Sequence, residues 1–451
     1  MEIALFLTGS LSFLTWLYLV FLRAGFWRAD QQLDDRRSEP EQWPDVAILI
    51  ATRDDAEAIE ETLPDLLEQT YPGAFHIFLV DDHSRDGTVE AALHAAQVAG
   101  ATERLSVVTI GAPPAGWSRR AWALTQAQEH AAANLPAVRY FWLTEPWIQH
   151  GRRSLQDLVA KAQEDSCGLV SLLPLSSCET AWERLLSPAF AFFFLAFHPL
   201  ARVNDSRHAA AAASRGCVLV DTDVLEAAGG FTALKDAAVI ESALAAKVKA
   251  VARRNGHGIW LGLGEFSTSV RSGDGWKILR DLTFATAEAQ FSASPKRLAV
   301  GTMVMALACL APPVVILWSL VAGFFLDIDQ FLITYLAFLI AGAAWAGMCI
   351  AAWPTFQLYE QEEWRTLLLP LAALAHMLLT MTLLPQLFGA ARRPGKKPAA
   401  IVRDATRLRS GADKVEPRLE VPSQATKEPT APNDRVRTTS PLATSSRESL
   451  T

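Results

Sequence analysis

The sequence predicts an α/β fold: a Rossmann-like domain on a mostly parallel sheet, with an N-terminal transmembrane anchor before it and C-terminal transmembrane helices after it. Three observations predict it. Short apolar runs alternate with helically spaced stretches roughly every 30 residues from position 46 onward, the rhythm of βαβ units. Residues 3–22 form an uncharged apolar stretch long enough to cross a bilayer. Three further apolar stretches fall late, at about 302–326, 331–353 and 366–390. The boundaries that follow are an anchor at 1–25, the α/β domain at 45–298, membrane segments at 302–390 and a tail at 391–451.

Residues 46–51 read as a buried strand, and 55–70 as a helix with Ile59, Leu63, Leu66 and Leu67 on one face. Residues 76–80 are the second strand, followed by Asp81-Asp82-His83-Ser84-Arg85-Asp86-Gly87-Thr88 and a helix to about 99. A third strand at 105–110 precedes a helix at 119–133, and a fourth at 138–144 ends at Glu145. Ligands in such sheets bind beyond the carboxyl ends of the strands. Residues 52–55, 81–84, 116–120 and 145–147 are therefore expected around one crevice. No G-x-G-x-x-G follows a strand and no G-x-x-x-x-G-K-[ST] occurs, which disfavours a dinucleotide or P-loop site.

The chain has 451 residues, 51% of them hydrophobic, and the apolar excess sits in the end segments. Nothing basic precedes 3–22, whereas Arg23, Arg28, Arg36 and Arg37 follow it, beside Phe26 and Trp27. These flanks predict a retained anchor rather than a cleaved signal peptide. The positive-inside rule puts the domain in the cytoplasm, on the inner, cytoplasmic membrane of a multi-pass protein. The five cysteines show no C-x-x-C pair, so neither a disulfide framework nor a zinc site is expected. The tail after residue 390 carries 13 Lys+Arg against 7 Asp+Glu within a chain of net charge −7, and is expected to be a disordered basic tail. Four crossings would put Arg392, Arg393, Lys396 and Lys397 outside, against the same rule. One segment is therefore expected not to cross, either 302–326, re-entrant at Pro312-Pro313, or 366–390, which carries Pro370, His376 and Pro385, leaving two or three C-terminal crossings. The aromatic run 184–203 is too short to span and reads as an interfacial helix near an acceptor entrance, with a buried core helix as the alternative.

VDDHSRDGT after an apolar strand, with ATRDD after the strand before it, resembles the family-2, GT-A-fold glycosyltransferases. The sequence looks most like the hopene-associated members found in bacterial hopanoid gene clusters. The likeness runs over about 45–315. It includes QTYPGAFHIFLVDDHSRDGT, GAPPAGWSRRAWAL, LVSLLPLSSCETAWERLLSPAFAFFF, VNDSRHAAAAASRGCVLV, LEAAGGF, IWLGL and LAPP.

The resemblance implies a nucleotide-sugar donor, and each expected contact has a physical reading. Asp82, at a strand's end, is expected to accept from the nucleotide base, with Asp81 beside it; Asp81 and Asp86 could equally cap the following helix. Asp54 stands where the family usually has Asn and is expected to make an altered contact to the nucleotide. Arg119 and Arg120, where it more often has Gly-Lys, are expected to fork onto the diphosphate. Gly216, after Arg215, lets backbone approach the donor sugar. After the fourth strand the family places Asp-x-Asp, whose last Asp holds a divalent cation, Mg²⁺ or Mn²⁺. Here Glu145 keeps the first carboxylate, but Trp147 offers no oxygen ligand, so any metal site at Glu145 is weak. A gapless match from Gly229-Gly230 places Glu241 on the general-base position, with Ile240 replacing its acidic neighbour.

The expected function is transfer of a sugar, with inversion, from a nucleotide sugar to a lipid acceptor, a hopanoid among the candidates. The partners are then donor, lipid and membrane, with no nucleic acid. The alternative is a non-catalytic paralogue serving as a scaffold in a membrane lipid-biosynthesis complex. A processive synthase is disfavoured, because no Gln-x-x-Arg-Trp follows Glu241.

Overall fold

Strand β1 (Val46–Thr52) is buried along its length because both its faces are covered, and its sequence is accordingly apolar at consecutive positions. Ala47 and Leu49 enter one hydrophobic cluster; Val46, Ile48 and Ile50 enter another on the opposite side. The computed structural model describes residues 2–33, 40–237, 239–254, 256–270, 283, 295–323 and 328–391. The basic tail expected after 390 lies outside the described residues apart from residue 391.

Helix α1 (Glu2–Leu17) continues as a π-helical turn, Tyr18–Leu22. The domain follows as β1, α2 (Ala56–Leu67), β2 (Phe75–Asp81), α3 (Thr88–Val98), β3 (Leu105–Thr109), α4 (Arg119–Asn134), β4 (Tyr140–Thr144), β5 (Ile148–His150), α5 (Ser154–Glu164) and β6 (Cys167–Leu175). It continues through α6 (Glu183–Phe197), α7 (Leu200–Asn204), β7 (Cys217–Asp221), α8 (Thr222–Ala227), α9 (Ile240–Ala252) and β8 (Gly258–Ser269). The four strands expected from the sequence are present within a few residues of their predicted bounds. The sheet order is β3-β2-β1-β4-β7-β6-β8-β5. Strands β3, β2, β1 and β4 run parallel, β7 is antiparallel to β4 and to β6, and β8 is parallel to β6. This is a mixed, mostly parallel GT-A-like sheet. Its antiparallel β7 pairs Cys217 with Thr144, which sets Gly216 and Arg215 beside the end of β4.

Four helical segments are long and apolar enough to cross a membrane: Glu2–Leu22, Ala299–Ala322, Gln330–Leu358 and Glu363–Thr382. They contain α1 and parts of α10 (Pro295–Met305), α11 (Ala311–Ala322), α12 (Ile328–Leu358) and α13 (Leu369–Ala391). The break expected at Pro312-Pro313 is not there. Both prolines fall in the first turn of α11, where their missing N–H groups are no loss, and a π-helical turn at Ala306–Leu310 joins α11 to α10.

The aromatic run is not a surface helix either. Nearly the whole circumference of α6 is buried: Phe192 packs against Trp16 and Phe26, and Phe190 and Phe193 against His376. The core alternative holds, and α6 joins the sheet domain to the apolar helices. Arg23, just past the first apolar helix, donates from Nε to Ala196 O in the last turn of α6, 2.9 Å away, satisfying a carbonyl that the helix end leaves open.

Candidate active site

The loops after β1 and β2 are knitted together before any ligand arrives. Asp54 takes a left-handed backbone (φ 54°), and its Oδ1 accepts from Arg85 N at 2.8 Å while its own N–H donates to Ser84 Oγ at 3.0 Å. Asp86 accepts from Thr88 N and Ala56 N, capping α3 and α2 at once. Asp81 accepts from Ser84 N at 3.1 Å and is buried. Asp54, Asp81 and Asp86 thus build these loops, and of the two expected as possible helix caps only Asp86 bonds the helix start.

Asp82 differs. Its Oδ2 accepts from Arg119 Nη1 at 2.6 Å and from Arg53 Nη1 at 3.2 Å. Burial raises its carboxyl above the ordinary aspartate value, against the opposing pull of Arg53 and His83. Arg53 and Arg119 keep about half of their side-chain surface in solvent (46% and 53%), so both can reach an anionic ligand.

At the end of β4 lies a second, more deeply buried charge cluster. Glu145 is 1% exposed. Arg215 grips it with Nε to Oε1 at 3.0 Å and Nη2 to Oε2 at 3.2 Å. Arg120 Nη1 bonds the same Oε1, and its Nη2 and Nε bond Glu241 Oε1 at 2.7 and 3.1 Å. Arg120 thus bridges the end of β4 to the first turn of α9. Burial lowers Arg120 to about 10, against the pull of Glu241, so it stays charged at neutral pH. Burial pushes the Glu241 carboxyl up, but Arg120 and Arg215 outweigh it and hold the group below its ordinary value. Two carboxylates and two guanidiniums make the cluster neutral, the condition for keeping it out of water.

Trp147 lies under Arg215, with the guanidinium carbon 5.3 Å from the ring centroid, a cation–π stack. Its backbone is fixed on both sides: Pro146 O accepts from Thr62 Oγ1 at 2.6 Å, and Trp147 O accepts from Val270 N at 3.0 Å. Gly216 has φ 106°, and a Cβ there would sit 2.9 Å from Ile148 Cγ1. The need for glycine is therefore local geometry, while its carbonyl accepts from Thr144 Oγ1 at 2.9 Å.

The divalent cation implied by the resemblance does not fit these residues. Glu145 already gives both its oxygens to guanidiniums, the neighbouring side chain is an indole, and a cation here would face two arginines at contact range. Among the described residues, no three His, Cys, Asp or Glu side chains are grouped to hold a metal.

The structure thus brings Arg120, Glu145 and Glu241 into one cluster and Asp82 with Arg119 into another. Arg120 faces inward to the carboxylates rather than outward to a phosphate, because both its partners are buried. Sequence reasoning missed Arg53 as a partner of Asp82 and Arg215 as a partner of Glu145. The available signal was paired: Trp147 removes an expected acid where Arg215 adds a base, and β4–β7 pairing sets the two side by side.

Residues 47–224 match the family model of Glycosyl transferase family 2. No curated protein matches the chain. Solved structures similar to it include the mannosyltransferase PcManGT from Pyrobaculum calidifontis in complex with GDP-Man and Mn²⁺, with TM-score 0.49 and 18% identity over 84% of this chain and 99% of that one. Another is TarS 1–349 from S. aureus in complex with UDP, with TM-score 0.33 and 14% identity over 72% of this chain and 90% of that one. The stretch that builds β1 to β7 and their loops thus matches glycosyltransferase family 2.

Proposed function

We infer that the protein transfers a sugar from a nucleotide-sugar donor to a lipid acceptor at a membrane, with inversion at the anomeric carbon. The observation that carries this reading is the Arg120 bridge, which holds the donor-side Glu145 and the acceptor-side Glu241 within the span of one guanidinium at the carboxyl edge of the sheet. The acceptor hydroxyl oxygen attacks the anomeric carbon as the bond to the diphosphate oxygen breaks. The bonding pair leaves on the diphosphate, and the hydroxyl proton passes to the Glu241 carboxylate. A depressed carboxyl is ionised throughout the neutral range, so it can take that proton without first losing one. On the donor side Asp82 meets the base, with Arg119 and Arg53 held beside it.

The lipid acceptor is supported by apolar helices packed directly against α6 and by the sequence's likeness to hopene-associated enzymes, which favours a hopanoid or polyisoprenoid. Arg23 and Arg28 favour a domain on the cytoplasmic side of the inner membrane.

Glu241→Gln keeps the hydrogen bonds to Arg120 but not the basicity. In proteoliposomes it is expected to lower transfer by about 10²- to 10⁴-fold with donor binding retained. Unchanged turnover would remove Glu241 from the base role. The acid limb of the wild-type rate profile is expected below the ordinary glutamate value of 4.5, since the folded group titrates lower.

A further inference from the structure

We propose that Arg215, stacked on Trp147 and held by Glu145, carries the negative charge of the donor diphosphate in place of a divalent cation. This rests on the nucleotide-sugar reading above and deepens it.

A leaving diphosphate needs a cation at the carboxyl end of β4, on the side where the donor's anomeric bond breaks. The candidates are four arginines and a metal held by Glu145. Glu145 is closed, because both its oxygens accept from guanidiniums. Arg120 is closed as well: its side chain is 18% exposed and is shared between Glu145 and Glu241. Arg119 and Arg53 are open but are turned toward Asp82, on the β2 side of the crevice. Arg215 combines an anchored inner edge with an outer one in solvent, its side chain being 51% exposed.

The anchoring is what makes it more than a surface arginine. A loose guanidinium surrenders rotamer freedom when it meets a phosphate, whereas this one is pinned by two bonds to Glu145 and a ring beneath it. The ring stands on backbone fixed by Thr62 and Val270, and the arginine on backbone fixed by the Gly216 carbonyl. Two residues that look like losses therefore account for each other. Trp147 gives up an oxygen ligand and supplies the platform; Arg215 supplies the charge. As the glycosyl–oxygen bond breaks, the electron pair arriving on the diphosphate oxygen is met by the outward N–H groups of Arg215, with no metal–oxygen bond formed.

The test is calorimetric binding of UDP and GDP, each against its nucleoside, to the full chain in detergent. With excess EDTA, diphosphate binding is expected to be unchanged, and Mn²⁺ is expected not to strengthen it. Arg215→Gln, which still offers Glu145 a donor, is expected to weaken the diphosphates by about 10- to 100-fold, the worth of a charge-assisted contact, and to leave nucleoside binding alone. Arg215→Lys is expected to recover part of the loss. The double variant Arg215→Gly, Trp147→Asp is expected to make diphosphate binding respond to Mn²⁺. Wild-type binding abolished by EDTA, or an undiminished preference for diphosphate over nucleoside in Arg215→Gln, would overturn the proposal while leaving the donor reading intact. Binding of neither nucleoside nor diphosphate by the wild type would overturn both.

Discussion

Arg120 sits between two carboxylates for which the family resemblance implies separate jobs, donor contact and proton acceptance. Burial makes that shared contact matter: a carboxylate as enclosed as Glu145 needs compensation, and guanidiniums supply charge and directed hydrogen bonds together. His150 is enclosed differently, its Nε2 at 2.7 Å from Thr144 Oγ1 and its Nδ1 at 2.9 Å from Ser267 Oγ. Burial lowers its pKa to about 3, so it is neutral in the fold. Between the ordinary value of 6.5 and 3 the unfolded chain binds a proton that the folded chain does not, and stability falls as pH falls. Melting curves at pH 7 and pH 5 should show a smaller acid loss for His150→Gln than for wild type, by up to roughly 1.4 kcal/mol per pH unit. Gly216→Ala meets both a positive φ and Ile148, and denaturant titration is expected to show a cost of about 1–3 kcal/mol. Residue identities at these sites were open to the sequence only as expectations from its family resemblance, which singled out Glu145, Asp82 and Glu241. Their pairings were not, because Arg120 and Glu241 are 121 positions apart and meet only through the sheet.

Among the elements, α9 links the cluster to the loop that leads into Arg215. Glu241 lies in its first turn, and two turns on Lys249 Nζ donates to Val203 O at 2.6 Å and also to Ala210 O. Burial lowers the Lys249 ammonium below its ordinary value, against the pull of Asp205. Lys249→Met would fill the space yet strand those carbonyls. It is expected to cost about 1–3 kcal/mol and to speed limited proteolysis within 205–215, while unchanged cleavage there would exclude the clamp. Elements were the level at which periodicity served best, since strands covered on both faces read as apolar runs. It failed at α6, where length and aromatic content suggested a surface helix. What buries α6 includes Trp16, Phe26 and His376, and no window around residue 190 contains them.

In the whole molecule, one core runs from the α4 and α9 face of the sheet through α6 into the apolar helices. Trp16 is a joint in it, buried, stacked near Phe192 and donating from Nε1 to Ala308 O at 2.7 Å. Small residues let the helices close up: Gly9 lies against the Ala337 carbonyl, and Ala341 and Ala344 are fully buried in α12. Trp16→Ala is expected to cost about 3–5 kcal/mol, read as a lower melting temperature in detergent, and Trp16→Phe only about 1 kcal/mol for the lost hydrogen bond.

By itself the sequence determined what depends on local pattern. Apolar periodicity gave the βαβ order and the four apolar helices, and the residues at the strand ends marked the crevice. Tertiary structure decided what depends on distant partners. It turned Arg120 inward, closed Glu145 to a metal, set Arg215 over Trp147 and buried α6. The physical reason is that a charge's role follows from its neighbours and its solvent, and here both come from strands and helices far apart in the chain.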